Sequence, residues 1–250
     1  MADEMGGQQP TKHQRIADDL KAAITAGDYG PGDRLPGENA LAAQYNVAAL
    51  TARQALKLLR TEGLIETKKG AGARVIAFHP IRRHSGLHGP PAPQGAGMSI
   101  READEDRNTT IDVSVQKAEA PAQVAQALGL SEGEFVCIRS RRFIVDGRPV
   151  RLESSYFPLA LLGGSALPVD LGEGSTHAVL SEFGHAPVHV REEVRSRQPT
   201  LQEATALGMP LERSVLKVHR IAVDKDGRAV EMSDTTLDSA AYVLSYGFDV

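Results

Sequence analysis

The feature that most narrows what this chain can fold into is the stretch Asp33 to Leu64, DRLPGENALAAQYNVAALTARQALKLLRTEGL. Its apolar residues fall into two short runs with spacings of three and four, broken at Tyr45-Asn46. That period predicts two helices, each burying one face. The first opens at Leu35-Pro36-Gly37-Glu38. Pro36 fixes φ, Gly37 takes the N-cap, and Glu38 puts an acid in the first turn, where the helix dipole favours it. Leu41 and Ala42 supply its core face, and Val47 packs under the turn. The second helix runs from about Ala49 to Glu62, with Ala52, Ala55, Leu56 and Leu59 as its buried stripe. Thr51, Arg53, Gln54 and Lys57 are left to point elsewhere.

The flanks complete the unit. Upstream, Thr11 to Ala26 has Ile16, Leu20, Ala23 and Ile24 on one face, and Gly27 with Tyr29-Gly30-Pro31-Gly32 stops it. Downstream, Leu64-Ile65-Glu66-Thr67 reads as a strand, Lys68-Lys69-Gly70-Ala71-Gly72 as a tight hairpin, and Arg74-Val75-Ile76 as its return. Three helices and a basic-tipped hairpin are the layout of a winged helix-turn-helix. In that layout the third helix meets base edges with its N-terminal residues, and Lys57 and Arg60 lie nearer phosphates. A glycine-rich loop bearing lysines suits close approach to a groove or its phosphates. The same elements could serve protein contact instead; turn, helix, wing and spacing taken jointly favour DNA.

Charge agrees. Residues 1–90 carry twelve Lys and Arg against nine Asp and Glu, a balance of +3, and residues 91–250 carry sixteen against twenty-three, or −7. Only one end of such a chain is suited to approach phosphates. The one cysteine, Cys137, excludes a disulfide framework or a cysteine zinc site within the chain, and its apolar surroundings suggest a small buried hydrophobe. The start, MADEMGGQQP, has neither the charged nor the apolar region of a signal peptide, and no apolar run reaches the ~18 residues that a membrane span needs. The expectation is a soluble, cytoplasmic protein with no cofactor and no membrane partner.

The reading of the domains is therefore a disordered lead-in at 1–10, a winged helix-turn-helix at 11–77, a linker at 78–108 and a second domain at 109–250. The linker HPIRRHSGLHGPPAPQGAGMSIREADEDRN lacks an apolar period. Its His79, His84 and His88 would be a metal tract only if something aligned them, and solvated histidines are the plainer reading. Beyond it, strands alternate with a few helices: Ile111, Val113 and Val115, a helix Ala122 to Leu128, and a hairpin Phe135 to Phe157 turning at Asp146-Gly147. A helix Thr176 to Phe183, a strand Val188 to Arg197, a helix capped by Thr200, a second hairpin Val215 to Leu237 and a last strand from Tyr242 complete it. An antiparallel sheet with helices makes the fold class α+β.

The segments LPGE, VAALTARQALKLLRTEGLI and KKGAGARV resemble the DNA-binding domain of the GntR family of bacterial transcription regulators, over roughly residues 12–77. The resemblance implies double-stranded DNA as partner. It puts Asn39 where the family often bears a DNA-contacting arginine, and Thr51, Arg53 and the wing glycine Gly70 where the family has the same residues. Lys68 and Lys69 stand beside Gly70 in the wing. Where the family has Ser-Arg-x before the threonine, this chain has Ala48-Ala49-Leu50, which removes a capping hydroxyl and a guanidinium able to grip guanine. A bidentate arginine–guanine contact gives ~1–3 kcal/mol of discrimination. Either binding is weaker and more relaxed, or the operator is read partly through methyl contacts from Ala49 and Leu50 to thymine.

The remainder is similar to the UTRA domain of the HutC subfamily of those regulators, through AQALGL, the R-R-F-x-x-DGRPV hairpin, SSYFP and HRIAVDKDGRAVEMS. This implies a small-molecule effector bound between sheet and loops, and a homodimer. Carried over by position, Arg141 and Glu153 keep an effector-site arginine and glutamate. Phe143 stands where a second arginine is expected and Leu237 where a tyrosine is, with Ser175, His177 and Glu231 as further pocket positions. The two apolar replacements suggest a less charged effector; Arg141 and Glu153 could equally be a plain cross-strand ion pair. The UTRA fold resembles that of chorismate lyase, so an enzyme is the alternative. No G-x-S-x-G, H-E-x-x-H or phosphate-binding loop occurs, and the reading is a ligand-responsive repressor with no catalytic residues.

Overall fold

Thr11 opens the first helix by donating its backbone N–H to Gln14 Oε1 at 2.8 Å, and helix α1 (Lys12–Ala26) ends at Gly27, whose φ of 88° suits a residue without Cβ. Helices α2 (Glu38–Gln44) and α3 (Ala49–Thr61) follow, separated by a turn in which Asn46 takes φ 49°. Strands β1 (Ile65–Lys68) and β2 (Gly72–Val75) pair antiparallel with Ile65 opposite Val75. The segment before α2 joins them as a third edge: Leu35 N–H bonds to Ala73 O and Val75 N–H to Asp33 O, both at 2.9 Å. One core, including Ile16, Leu20, Leu35, Leu41, Leu59 and Ile65, ties the helices to this wing. Each such side chain contributes about 1.5–3 kcal/mol by leaving water.

The computed structural model describes residues 9–68, 72–76, 80–86, 101–102, 107–164 and 175–247. It divides into two units, Met1–His79 and Pro80–Val250. In order, the second unit has β3 (Ile81–Gly86), β4 (Arg101–Glu102), β5 (Thr109–Glu119), α4 (Ala122–Leu128), β6 (Phe135–Val145) and β7 (Arg148–Pro158). A 3-10 helix (Leu159–Leu162), α5 (Ser175–Glu182), β8 (Pro187–Arg197), α6 (Leu201–Leu207), β9 (Val215–Asp224), β10 (Ala229–Asp238) and β11 (Tyr242–Gly247) follow.

Six strands form an antiparallel sheet in the order β5-β6-β7-β10-β9-β8. The β6–β7 hairpin turns on Asp146 and Gly147, both at positive φ (50° and 76°), the geometry that matches strand twist in a two-residue turn. Side chains alternate between the faces. One face presents Val136, Ile138, Tyr156 and Met232 to Val124 and Leu128 of α4, and Leu152 to Ala204 and Leu207 of α6. The other presents Cys137, Phe157, Ala222 and Val230 to Leu180 of α5 and to Leu161 and Leu162 of the 3-10 helix. The class is α+β, as the alternation of strands and helices implies.

Part of the span expected to be a linker is built into the second unit. β3 pairs in parallel with β11, and β4 pairs antiparallel with β3. Ile81 and Arg83 are buried and Arg82 between them is exposed, so β3 is a strand whose inward residues include a charge, which an apolar period cannot register. His79 and His88 lie outside the described residues, and among the described residues no His, Cys, Asp and Glu cluster is placed to hold a metal. No described helix is long and apolar enough to cross a membrane.

Candidate DNA-binding helix and effector site

The burial of α3 sorts its residues into two sides. Ala52, Ala55, Leu56 and Leu59 face the core, while Ala49, Leu50, Arg53, Gln54 and Lys57 are exposed and Thr51 is half-buried. The expected DNA-contacting residues of this helix therefore share one outward face, and the wing core holds that face at a fixed angle. Ala48 is the N-cap with extended φ and ψ (−65°, 147°), and no side chain caps the helix. The open N–H groups of that first turn carry the positive end of the helix dipole. Asn39 is exposed in the first turn of α2.

Arg53 is oriented by α2. Its Nε and Nη2 both donate to Glu38 Oε2 at 2.9 Å, and the Glu38 carboxylate holds the guanidinium above its usual pKa. The glutamate of the LPGE segment thus both places an acid at the start of α2 and fixes the arginine of α3. The wing positions Lys69 and Gly70 lie outside the described residues; Lys68 ends β1, with only its backbone described. Two basic residues that the sequence reading passed over sit at the base of the wing. Arg34 and Arg74 form a bridge, and the Arg34 guanidinium lies over Gly72, where an added Cβ would come within 3.1 Å of Nε.

In the second unit, the face that packs α5 changes character towards the β6–β7 turn. Beyond Cys137, the inward positions of β6 are Arg139, Arg141 and Phe143, and opposite them on β7 stand Ser155, Glu153 and Arg151. Arg141 donates to Glu153 in a short charge-assisted bond, and Arg151 Nε lies 3.8 Å from the other carboxylate oxygen. Burial alone would raise the Glu153 pKa, but Arg141, Arg151 and Arg83 outweigh it and hold it at about 2. Arg83 of β3 donates to Glu192 of β8 at 2.8 Å, and the Tyr246 hydroxyl of β11 donates to the same carboxylate at 2.8 Å. Burial and the Glu192 charge push that phenol up to about 12. Arg220 of β9 lies in the fields of Glu231, Glu192, Glu153 and Arg83, and its burial lowers its pKa.

Among the described residues this face therefore gathers five arginines (83, 139, 141, 151 and 220) and three carboxylates (Glu153, Glu192 and Glu231), two positive charges in excess. Arg83 Nη1, Arg141 Nε and Ser155 Oγ are buried there with no hydrogen-bond partner among the described residues.

Arg141, Glu153 and Glu231 thus share one face. Phe143 and Leu237 share it too, but at 1% and 0% exposure they are floor rather than ligand surface. Arg151 lies flat on the Phe143 ring, its guanidinium carbon 3.3 Å from the centroid. Ser175 and His177 fall in the first turn of α5, where only the backbone is described. Arg139, Arg151, Glu192 and Arg220 were missed by the sequence reading, which took Arg83 as a residue of the linker. Strand alternation alone would have found Arg139 and Arg151, since each stands two residues from a position already singled out.

A three-helix unit with a wing and an outward basic helix, followed by a sheet domain that holds a buried charged cluster, defines a DNA-binding transcription regulator. The comparisons agree: the UTRA domain matches residues 105–242, and the bacterial regulatory proteins of the gntR family match residues 12–75. The chain belongs to the GntR family of transcription regulators, with the UTRA domain of the HutC subfamily. It is 29% identical to an HTH-type transcriptional regulator of Streptomyces coelicolor, over 96% of this chain and 93% of that one. The HTH-type transcriptional repressor NagR of Bacillus subtilis is 24% identical, over 95% of this chain and 94% of NagR. Among solved structures, a GntR-family transcriptional regulator superposes with a TM-score of 0.63 at 29% identity, covering 97% and 98% of the two chains. PhnF from Mycobacterium smegmatis gives 0.57 at 22%, covering 94% and 99%.

Proposed function

We propose that this regulator is a homodimeric repressor that leaves a two-fold operator when a small anionic effector enters the arginine-rich face of its C-terminal sheet. The operator half of this reading is carried by the outward face of α3, where Arg53, Gln54 and Lys57 stand opposite the buried stripe. Such a face enters a major groove, and two copies related by a two-fold axis read symmetric half-sites. That the similar protein NagR is named a repressor supports the sign of the response.

The effector half rests on charge. The two net positive charges held out of water among the described residues favour a ligand bearing a phosphate or carboxylate, which accepts from several guanidinium forks at once. The three carboxylates beside them suit hydroxyl or amine donors on the same ligand. This replaces the expectation of a less charged effector, because of the two apolar positions that prompted it, Phe143 lies beneath an arginine and Leu237 is fully buried. Arg83 offers the coupling. It sits in β3, the strand that follows the N-terminal unit in the chain, and its partner Glu192 belongs to the cluster. A ligand that competes for Arg83 has different affinity for the arrangements with and without that pair, which is what a switch requires.

The test is fluorescence anisotropy of the full chain on duplex from its own upstream region, at two salt concentrations. Salt-sensitive binding that discriminates against scrambled DNA is expected, followed by release on adding a sugar phosphate but not the same sugar without its phosphate. Release by the uncharged sugar at equal concentration would sink the anionic reading. Light scattering on the free protein checks the dimer.

A further inference from the structure

We infer that Leu50 reads thymine by its methyl group, so that this regulator selects an operator base pair by apolar contact where hydrogen bonding is absent. The inference rests on the placing of α3 in the major groove. Leu50 is the second residue of α3, in the turn that meets base edges in helix-turn-helix proteins. At about 100° per residue, it lies roughly opposite the mean direction of Ala52, Ala55, Leu56 and Leu59, closer to the pole of the outward face than Arg53 or Ala49. It is 61% exposed, a large apolar side chain aimed at whatever the helix faces.

Single exposed leucines are ordinary on protein surfaces. What distinguishes this one is its company. Ala48 and Ala49 precede it, both exposed, so none of the three side chains can donate or accept a hydrogen bond. The readout left to them is apolar contact, and the thymine C5 methyl is the one apolar group that base edges present in the major groove. Arg53 stands one turn further on, oriented by Glu38, and Gln54 and Lys57 continue the face. A thymine read by Leu50 therefore lies beside the base pair or phosphate that Arg53 engages.

The experiment selects binding sites for the full chain from a randomised duplex library, then rebuilds the enriched site with each thymine replaced in turn by deoxyuridine in both half-sites. Deoxyuridine keeps every hydrogen-bonding group and lacks only the methyl. At one thymine per half-site, the wild-type affinity should fall on the order of tenfold, since burying one methyl is worth about fourfold in Kd and two are removed. Leu50→Ala should bind the thymine site more weakly and show no more than twofold difference between thymine and deoxyuridine, to order of magnitude on the same scale. Because Leu50 is exposed, the variant should melt as the wild type does. An enriched site insensitive to every deoxyuridine, or equal sensitivity in Leu50→Ala, would overturn the inference and leave the α3 assignment standing. No enrichment of any sequence would overturn both.

Discussion

Glu153 is the carboxylate on which the charged face of the C-terminal sheet balances, and its removal has a calculable consequence. It is held between Arg141, which donates to it, and Arg151 at 3.8 Å, with Arg83 in the same field. Glu153→Gln keeps the volume and removes the charge, so the arginines face one another out of water. Breaking a buried pair from one side costs about 3–5 kcal/mol. An independent figure comes from the pKa, which falls from 4.5 to about 2 on folding. At about 1.4 kcal/mol per pH unit, that is on the order of 3 kcal/mol. The sign follows from the depression: the stabilisation is complete above the unfolded value and is lost as pH falls from about 5 towards about 2. Urea unfolding of the full chain, followed by far-UV circular dichroism across that window, should show two things. The variant should be less stable by about 3–5 kcal/mol at neutral pH, and the gap to wild type should close by about 3 kcal/mol on acidification. A cost under about 1 kcal/mol, typical of an exposed pair, or a gap that stays constant with pH, would refute the buried-cluster reasoning.

Three further outcomes follow from the N-terminal unit. Arg53→Ala should weaken specific operator binding at least about tenfold, the value of a lost bidentate base contact, while light scattering shows an unchanged oligomer; full affinity would refute the α3 assignment. Ala48→Ser should give the N-cap of α3 a capping hydroxyl and stabilise the unit by about 1 kcal/mol in thermal melts. Gly72→Ala places a Cβ 3.1 Å from Arg34 Nε at a φ of +75°, and should destabilise the wing by about 1 kcal/mol or more, seen as a lower midpoint of the same transition.

The helices of the first unit were legible because each buries a single apolar stripe. Leu41, Ala52, Ala55, Leu56 and Leu59 sit in the core that their spacing implies. The hairpins of the sheet were legible for a local reason as well: Asp146-Gly147 can adopt the paired positive φ that the turn needs, and few other dipeptides can. β3 was not legible, and its inward residues explain why. Ile81 is the one apolar residue to mark its inner face, and the next inward position is Arg83, buried against Glu192. A strand that buries an ion pair looks in sequence like a solvated linker. Its pairing with β11 is non-local and leaves no trace within the segment itself.

The same limitation governs the charged face. Reading Phe143 as the loss of an arginine treats the site as a row of independent positions. The face is instead built from strands whose side chains alternate, so its charge depends on every second residue of β6, β7, β9 and β8 together. Arg139 lies two residues before Arg141, and Arg151 two before Glu153, which places both on the face that Phe143 was thought to deplete. The ring itself is the platform for Arg151, where a second guanidinium would repel it. With phenylalanine at position 143, the described residues of this face still hold five arginines against three carboxylates, and the ring fixes Arg151 in place.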